Sequence, residues 1–203
     1  DAFQEDHITT RRPPTGPTYR MGIGIDHGAD AGSQVAILVA VNPADRYAEI
    51  HAVDEYIAGA ADPETHATEI LRMLKRNGMD YHSVDRWTGD RKYGGKRWGG
   101  SMSNARLMRG MERILGFPMG GLPFRIRSAY KPSGSIYQEC SIIQEAMMRH
   151  KFSINAKCEA LIRSLRLWSY QDDGHKHAID ALRYAAVPLL NRNLYVPNTI
   201  RLG

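Results

Sequence analysis

The chain has 203 residues, of which 42% are hydrophobic and 24% charged, so it has the composition of one globular domain and not of a disordered protein. No apolar run approaches the roughly 20 residues that span a bilayer, which argues against a membrane protein. The net charge of +5 and the pI of about 9.3 suit a polyanionic partner without identifying one. Cys140 and Cys158 lie in apolar helical patterns without CxxC spacing, so we expect buried thiols and neither a disulfide nor a zinc site.

The first 19 residues contain the stretch Arg11-Arg-Pro-Pro-Thr-Gly-Pro and show no hydrophobic periodicity. This composition is typical of a linker or an arm. We therefore expect the folded domain to occupy residues 20–203, and another domain to precede the arm at residues 1–19.

The folded domain is predicted to open with three strands. In the first, from Met21 to Asp26, apolar residues alternate with two glycines and the final carboxylate, which places the glycines and the carboxylate on one face. The continuous apolar run 35–41 is typical of a strand buried on both faces. A third alternating segment, 47–54, follows a turn, so we expect an antiparallel meander.

Helical and extended segments then alternate along the chain. Apolar residues at helical spacing follow the start signal Asp62-Pro63 and stop before Gly78. Residues 81–84 predict a short strand that runs into Asp85. The remaining pattern predicts, in order, a helix ending near Leu115, a strand over 124–127, helices over 136–147 and 161–168, and a last helix over 179–189 that Pro188 kinks or ends. This order predicts an α/β fold with a mixed sheet covered by helices.

Three aspartates lie at the ends of predicted elements: Asp26 and Asp85 at strand ends, and Asp180 early in the last helix. Glycines beside Asp26 leave room for a phosphate to approach. Hard divalent cations prefer oxygen ligands, and a two-metal nuclease needs several carboxylates around ions about 4 Å apart. We therefore predict that Asp26, Asp85 and Asp180 meet in one pocket, with Asp90 as the alternative to Asp85.

His177 precedes Asp180 by three residues and shares a helical face with it. It could bind the same metal or phosphate, relay a proton or orient water. Asp173 is a further candidate ligand if the last helix begins with an extra turn, although Asp172 and Asp173 are also typical N-caps. The structural alternatives stay open: Asp26 and Asp85 as turn or cap residues, and His177 as a hydrogen-bonded residue of the helix start.

In their order, these motifs resemble those of the nuclease domain of tailed-phage terminase large subunits. Gly24-Ile-Asp26-His-Gly28 is similar to the family's first acidic motif, Ser83-Val-Asp85 occupies the place of the second, and His177-Ala-Ile-Asp180-Ala-Leu-Arg-Tyr-Ala is similar to the third. The similarity covers about residues 19–190. It implies a ribonuclease-H-like fold, in which an antiparallel opening meander is followed by parallel strands and flanked by helices.

The resemblance also implies a function. Members cut concatemeric double-stranded phage DNA during genome packaging by two-metal hydrolysis, here at Asp26, Asp85 and Asp180 with His177 assisting, and use two Mg²⁺ or Mn²⁺ ions. The implied partners are DNA, the terminase ATPase domain, the small terminase subunit and the portal, in the cytoplasm of the infected bacterium and with no membrane involved. The family's ATPase carries a Walker A loop, whereas residues 89–97 only approach that motif, because the lysine is displaced and no Ser or Thr follows it. We expect this chain to lack ATP-driven translocation.

A Gly-rich segment after Asp85 interleaves positive charges with aromatic rings. Positive side chains neutralise phosphates and rings stack on bases, so this composition is typical of binding without sequence preference. A solvated loop with an incidental excess of charge is the alternative. The residues that we predict to contact DNA are Arg86, Arg91, Lys92, Lys96, Arg97 and Trp98.

Other classes of protein share part of this pattern. A junction resolvase or a transposase core would keep the metal chemistry and prefer another DNA structure. An ATPase of the actin and sugar-kinase group also has an acidic turn after its first strand, but that fold needs two such domains and 203 residues are too few. A non-catalytic DNA-binding module with a relic of the site is the third alternative.

Overall fold

The structure, a computed structural model, describes residues 2–13, 16–28, 34–44, 48–90, 102–129, 131–167 and 175–190. Seven strands and five α-helices lie within this part of the chain. The strands are β1 (Ile8–Thr9), β2 (Arg20–His27), β3 (Gln34–Asn42), β4 (Glu49–Ala58), β5 (Arg86–Gly89), β6 (Ile126–Ser128) and β7 (Phe152–Asn155). The helices are α1 (Pro63–Arg76), α2 (Asn104–Leu115), α3 (Ser135–Met148), α4 (Glu159–Leu167) and α5 (Lys176–Leu190).

The strands form one mixed sheet in the order β1-β7-β4-β3-β2-β5-β6. The pairs β2–β3 and β3–β4 are antiparallel, which confirms the predicted meander. The remaining neighbours, β5 beside β2, β6 beside β5, β7 beside β4 and β1 beside β7, are all parallel. The α/β fold class with a mixed central sheet is therefore confirmed.

Helices cover both faces of this sheet. Buried residues of α3, α4 and α5 form one core with β3, β4 and β7, and those of α1 and α2 form a second core on the opposite face. Helix α5 lies so close to β2 that a Cβ atom at Gly24 would stand 1.8 Å from the carbonyl oxygen of Ala181, and one at Gly22 would stand 2.5 Å from that of Ala185. These two glycines therefore admit the backbone of a helix and not the phosphate that the sequence analysis expected.

Some local predictions were wrong. Residues 81–83 form a 3₁₀ helix instead of a strand, because the Asp80 side chain caps this turn by accepting hydrogen bonds from the amides of His82 and Ser83. The strand starts only at Arg86, after Asp85. The arm contributes β1 to the sheet edge, and α5 continues through Pro188 to Leu190.

Two further expectations from composition can be checked. Cys140 and Cys158 are both buried and both free, as predicted. Burial raises the pKa of the Cys158 thiol above its ordinary range, and neighbouring Glu55 and Asp54 raise it further, so this thiol stays protonated. Across the described residues, no helix is both long enough and apolar enough to cross a membrane.

A buried carboxylate ties β4 to the surrounding helices. The Asp54 side chain is 2% exposed and accepts two hydrogen bonds of 2.7 Å from Arg76, at the end of α1. Lys157 Nζ, just before α4, lies 3.0 Å from Asp54 Oδ2. Burial alone would raise the pKa of Asp54, but the hydrogen bonds from Arg76, Asn77 and Lys157 outweigh it and lower that pKa below the ordinary 3.8.

We expect Asp54 to contribute to stability in a pH-dependent way. Because its folded pKa is lowered, the contribution is complete well above pH 3.8 and is lost as the pH falls through the folded pKa. Asp54→Asn should cost about 2 kcal/mol at neutral pH, less than a fully buried pair because its cationic partners are partly exposed. Urea unfolding from pH 7 to pH 2.5 checks this: the difference between wild type and variant should shrink in acid. A difference that stays constant with pH would contradict it.

Candidate metal site

Asp26 is the seventh residue of β2 and is buried at the end of that strand. Its side chain lies on the same face as Gly22 and Gly24, the face that α5 covers, because alternate residues of a strand point the same way. Asp26 is 4% exposed, an unusual degree of burial for a carboxylate. A buried carboxylate requires compensation by hydrogen bonds or by a cation.

Asp90, and not Asp85, lies beside Asp26. Strand β5 runs parallel to β2 with Gly89 opposite Ile25, and the Asp90 amide donates a 2.9 Å hydrogen bond to the Ile25 carbonyl. Asp85 precedes β5 at its other end, where its carboxylate accepts a 2.8 Å hydrogen bond from the Met21 amide. The two aspartates are five positions apart along an extended chain, which corresponds to about 16 Å. The predicted meeting of Asp85 with Asp26 is therefore not found, because the strand follows Asp85 instead of preceding it.

The first turns of α5 bring His177 and Asp180 to the same place. His177 Nδ1 lies 3.4 Å from Asp26 Oδ1, within range of an ion pair, but Nδ1 makes no well-aligned hydrogen bond. Asp26 nevertheless raises the pKa of His177 against the opposing effect of burial. Burial raises the pKa of Asp180, Asp26 raises it further, and Arg183 opposes both. The mutual influence of Asp26, His177 and Asp180 shows that they form one electrostatic cluster.

Three residues that the sequence analysis did not select complete the cluster. Arg183 is 1% exposed and lies between Asp180, at 2.7 Å, and Glu139 of α3, at 3.0 Å. Lys131, which follows β6, lies 2.9 Å from Asp90 and 5.1 Å from the centre of the Tyr184 ring. Burial and the charges of Asp180, Asp26 and Asp90 raise the pKa of Tyr184. Arg183 follows Asp180 by three residues, about one helical turn, and this spacing was the sequence signal that could have predicted their ion pair.

His27 fixes the far side of the cluster. Its Nε2 lies 2.8 Å from the Asn104 side-chain oxygen, and the Asn104 amide nitrogen donates to the Gly89 carbonyl at 3.4 Å. On the other side of the ring, His27 Nδ1 lies 3.0 Å from the side-chain oxygen of Gln34. The network joins β2, β3, β5 and α2 directly beside Asp26 and Asp90.

The donor set of this cluster fits hard divalent cations. Three carboxylates, Asp26, Asp90 and Asp180, supply the oxygen ligands that Mg²⁺ and Mn²⁺ prefer. Burial and the charge of Asp26 both raise the pKa of Asp180, and a cation between the two carboxylates would relieve their repulsion. The Tyr184 hydroxyl and His177 Nδ1 are also buried without a hydrogen-bond partner in the described part of the chain, and both face this cluster.

Another group of potential ligands lies in the N-terminal arm. Among the described residues, Asp6, His7 and His150 offer ligand atoms within 4.8 Å of one another, a closer grouping than that of Asp26, Asp90 and Asp180. His7, however, uses both ring nitrogens: Nδ1 accepts from the Gln4 amide at 2.9 Å, and Nε2 donates to the Met147 carbonyl at 3.0 Å. No lone pair remains for a metal, so this group serves to dock the arm on α3.

Most of the residues predicted to contact DNA lie outside the described part of the chain. Arg91, Lys92, Lys96, Arg97 and Trp98 all fall there, as does the additional candidate ligand Asp173. Arg86 is described: it is the first residue of β5, opposite Gly22, and so lies at the end of the strand away from Asp90.

Solved structures that this chain resembles in fold include nuclease domains of bacteriophage large terminases. The nuclease domain of the bacteriophage P22 large terminase superposes with a TM-score of 0.61 at 13% identity, covering 90% of this chain and 87% of that one. The large terminase (g2p) nuclease domain of bacteriophage SPP1, with bound Mn, superposes with a TM-score of 0.51 at 18% identity, covering 89% of this chain and 95% of that one. The chain has the fold of large terminase nuclease domains.

The terminase nuclease fold extends over nearly all of this chain. The large terminase of the thermophilic bacteriophage D6E matches with a TM-score of 0.60 at 14% identity and covers 97% of this chain. The chain spans 44% of that protein. The sequence itself matches no protein-family model and no curated protein. At 13–18% identity, the likeness is one of fold.

Proposed function

We propose that this chain is a metal-dependent endonuclease that cuts double-stranded phage DNA during genome packaging. The observation that carries the proposal is the convergence of Asp26, Asp90 and Asp180 at one end of the sheet, within the fold of large terminase nuclease domains. The manganese bound in the SPP1 domain supports a divalent cation as cofactor. Asp90 takes the place that the sequence analysis gave to Asp85.

In this proposal Asp26, Asp90 and Asp180 would hold two Mg²⁺ or Mn²⁺ ions, whose chemistry would be to activate water and to stabilise the leaving oxygen. His177, whose pKa is raised by Asp26 against the opposing effect of burial, is the proposed residue that passes a proton to the departing group. Arg183 orients the Asp180 carboxylate by pairing with it, and Glu139 in turn pairs with the Arg183 guanidinium and holds it in place. Asp173 remains a proposed extra ligand.

The DNA path in this proposal follows from the connection between β5 and α2. The segment 91–101 begins directly after Asp90 and ends just before Asn104, which is bound to Gly89 and His27. Because the described residues on either side of this segment, Asp90 and Asn104, lie beside the carboxylates, the proposed contacts to the DNA backbone and bases are Arg91, Lys92, Lys96, Arg97 and Trp98. The terminase ATPase domain, small subunit and portal are the proposed partners, in the cytoplasm of the infected bacterium.

Cleavage of supercoiled plasmid in Mn²⁺ tests this proposal. We expect Asp26→Asn and Asp180→Asn each to reduce the cleavage rate at least about a hundredfold, because each removes a charge that supports the metals. Glu69→Gln serves as the charge-matched control and should cut normally, because Glu69 is a half-buried residue of α1 that pairs with Arg72, far from the carboxylate cluster. Normal cutting by the Asp26 and Asp180 variants would refute the proposal, and a strong preference for four-way junctions or RNA–DNA hybrids would favour a resolvase or another ribonuclease-H-like enzyme.

A further inference from the structure

Lys131 brings a positive charge into the carboxylate cluster from outside α5. Its Nζ lies 2.9 Å from Asp90 Oδ2 and 5.1 Å from the centre of the Tyr184 ring. It also acts on Asp180, since its charge opposes the rise in the pKa of that carboxyl group. The ammonium group therefore lies directly against Asp90, one of the three carboxylates that are proposed to bind metal.

The other two cations of the cluster are held in place on α5. Arg183 is 1% exposed and is paired with both Glu139 and Asp180. His177, on the same helix as Arg183, lies against Asp26 of β2. Lys131 differs because its side chain is 39% exposed and its four-carbon stem can adopt many conformations. Of these three described cations, Lys131 has the most exposed side chain and therefore the most freedom to withdraw.

We propose that the ammonium group of Lys131 competes with a divalent cation for Asp90. This inference rests on the proposed function. An ammonium at hydrogen-bond distance and a hard cation need the same carboxylate oxygen, and their like charges repel at such short range. Metal binding at Asp90 then requires Lys131 to move away. Lys131 is thus a residue that sets the metal affinity of the site.

Calorimetric titration with MnCl₂, in the absence of DNA, tests this inference. Lys131→Met removes the competing charge and should tighten Mn²⁺ binding at least about fivefold, the lower end of typical coupling between two sites. Lys131→Arg keeps the charge and should stay close to wild type. The matched control is Lys75→Met, an exposed residue at the end of α1, which makes the same change in net charge on the opposite face of the sheet.

A second comparison separates local competition from a general charge effect. In an Asp90→Asn background the oxygen for which the two cations compete has lost its charge, so Lys131→Met should no longer change Mn²⁺ affinity. Equal affinities of wild type, Lys131→Met and Lys75→Met would overturn the inference, as would a Lys131 effect that persists without Asp90. Thermal unfolding of each variant verifies that it is folded.

The two proposals fail in different ways. If wild type binds Mn²⁺ and Asp26→Asn does not, while Lys131→Met binds like wild type, only the competition is refuted. If neither wild type nor Lys131→Met binds Mn²⁺, both proposals fall. If Lys131→Met binds Mn²⁺ measurably and wild type does not, the competition is stronger than expected and the inference is supported.

Discussion

Asp90→Asn is expected to abolish DNA cleavage, whereas Asp85→Asn is expected to leave it unchanged. The Asp90 backbone is hydrogen-bonded to Ile25, the neighbour of Asp26, and its carboxylate shares Lys131 with Asp180. Loss of its charge removes one of three proposed metal ligands, so the rate should fall at least about a hundredfold, as when a group that stabilises the transition state is deleted.

Asp85 provides the matched control for this experiment. It lies at the opposite end of β5, 38% exposed, and accepts a hydrogen bond from the Met21 amide that an asparagine oxygen can also accept. Rates of plasmid nicking in Mn²⁺ for the two variants, compared with wild type, give the answer. Cleavage lost in Asp85→Asn and kept in Asp90→Asn would reverse the assignment of the second acidic ligand.

The second large effect is expected at Gly24, where β2 meets α5. A methyl group there would stand 1.8 Å from the Ala181 carbonyl oxygen and 2.4 Å from the Ala185 amide nitrogen, and both are backbone atoms that cannot rotate away. Overpacking typically costs about 1–3 kcal/mol when side chains can adjust. Because a whole helix must move here, Gly24→Ala should cost at least about 3 kcal/mol and displace Asp180 and His177 from Asp26.

Urea unfolding measures this cost. Gly59→Ala is the matched control, since a Cβ atom at Gly59 meets nothing within 4 Å, and its free energy of unfolding should change by less than about 1 kcal/mol. Similar stability of Gly24→Ala and wild type would mean that α5 does not approach β2 as closely as described.

The sequence predicted those elements whose signals are local. The alternation from Met21 to Asp26 predicted β2, and Asp62-Pro63 predicted the start of α1, where the Asp62 side chain accepts hydrogen bonds from Glu64 and Thr65 amides. The capping chemistry of Asp80 was equally local but was interpreted as part of a strand, which moved the strand end to Asp85. This one error put the second acidic residue at the wrong end of β5.

The rest of the candidate site depends on contacts between distant parts of the chain. Glycines at positions 22 and 24 look alike whether a helix or a phosphate approaches them, and only the packing of α5 decides. Lys131 and Glu139 join the cluster from separate elements, through Asp90 and Arg183 respectively. The His27–Asn104 contact spans 77 positions in the chain. No local pattern could have indicated these partners.

The most direct measurement is a crystal structure of the protein soaked in MnCl₂, with anomalous scattering used to locate the metal. We expect manganese between the carboxylates of Asp26, Asp90 and Asp180, with Lys131 turned away from Asp90. Manganese bound by Asp85, or bound only in the N-terminal arm at Asp6 and His150, would contradict the convergence of the three aspartates on a shared metal site.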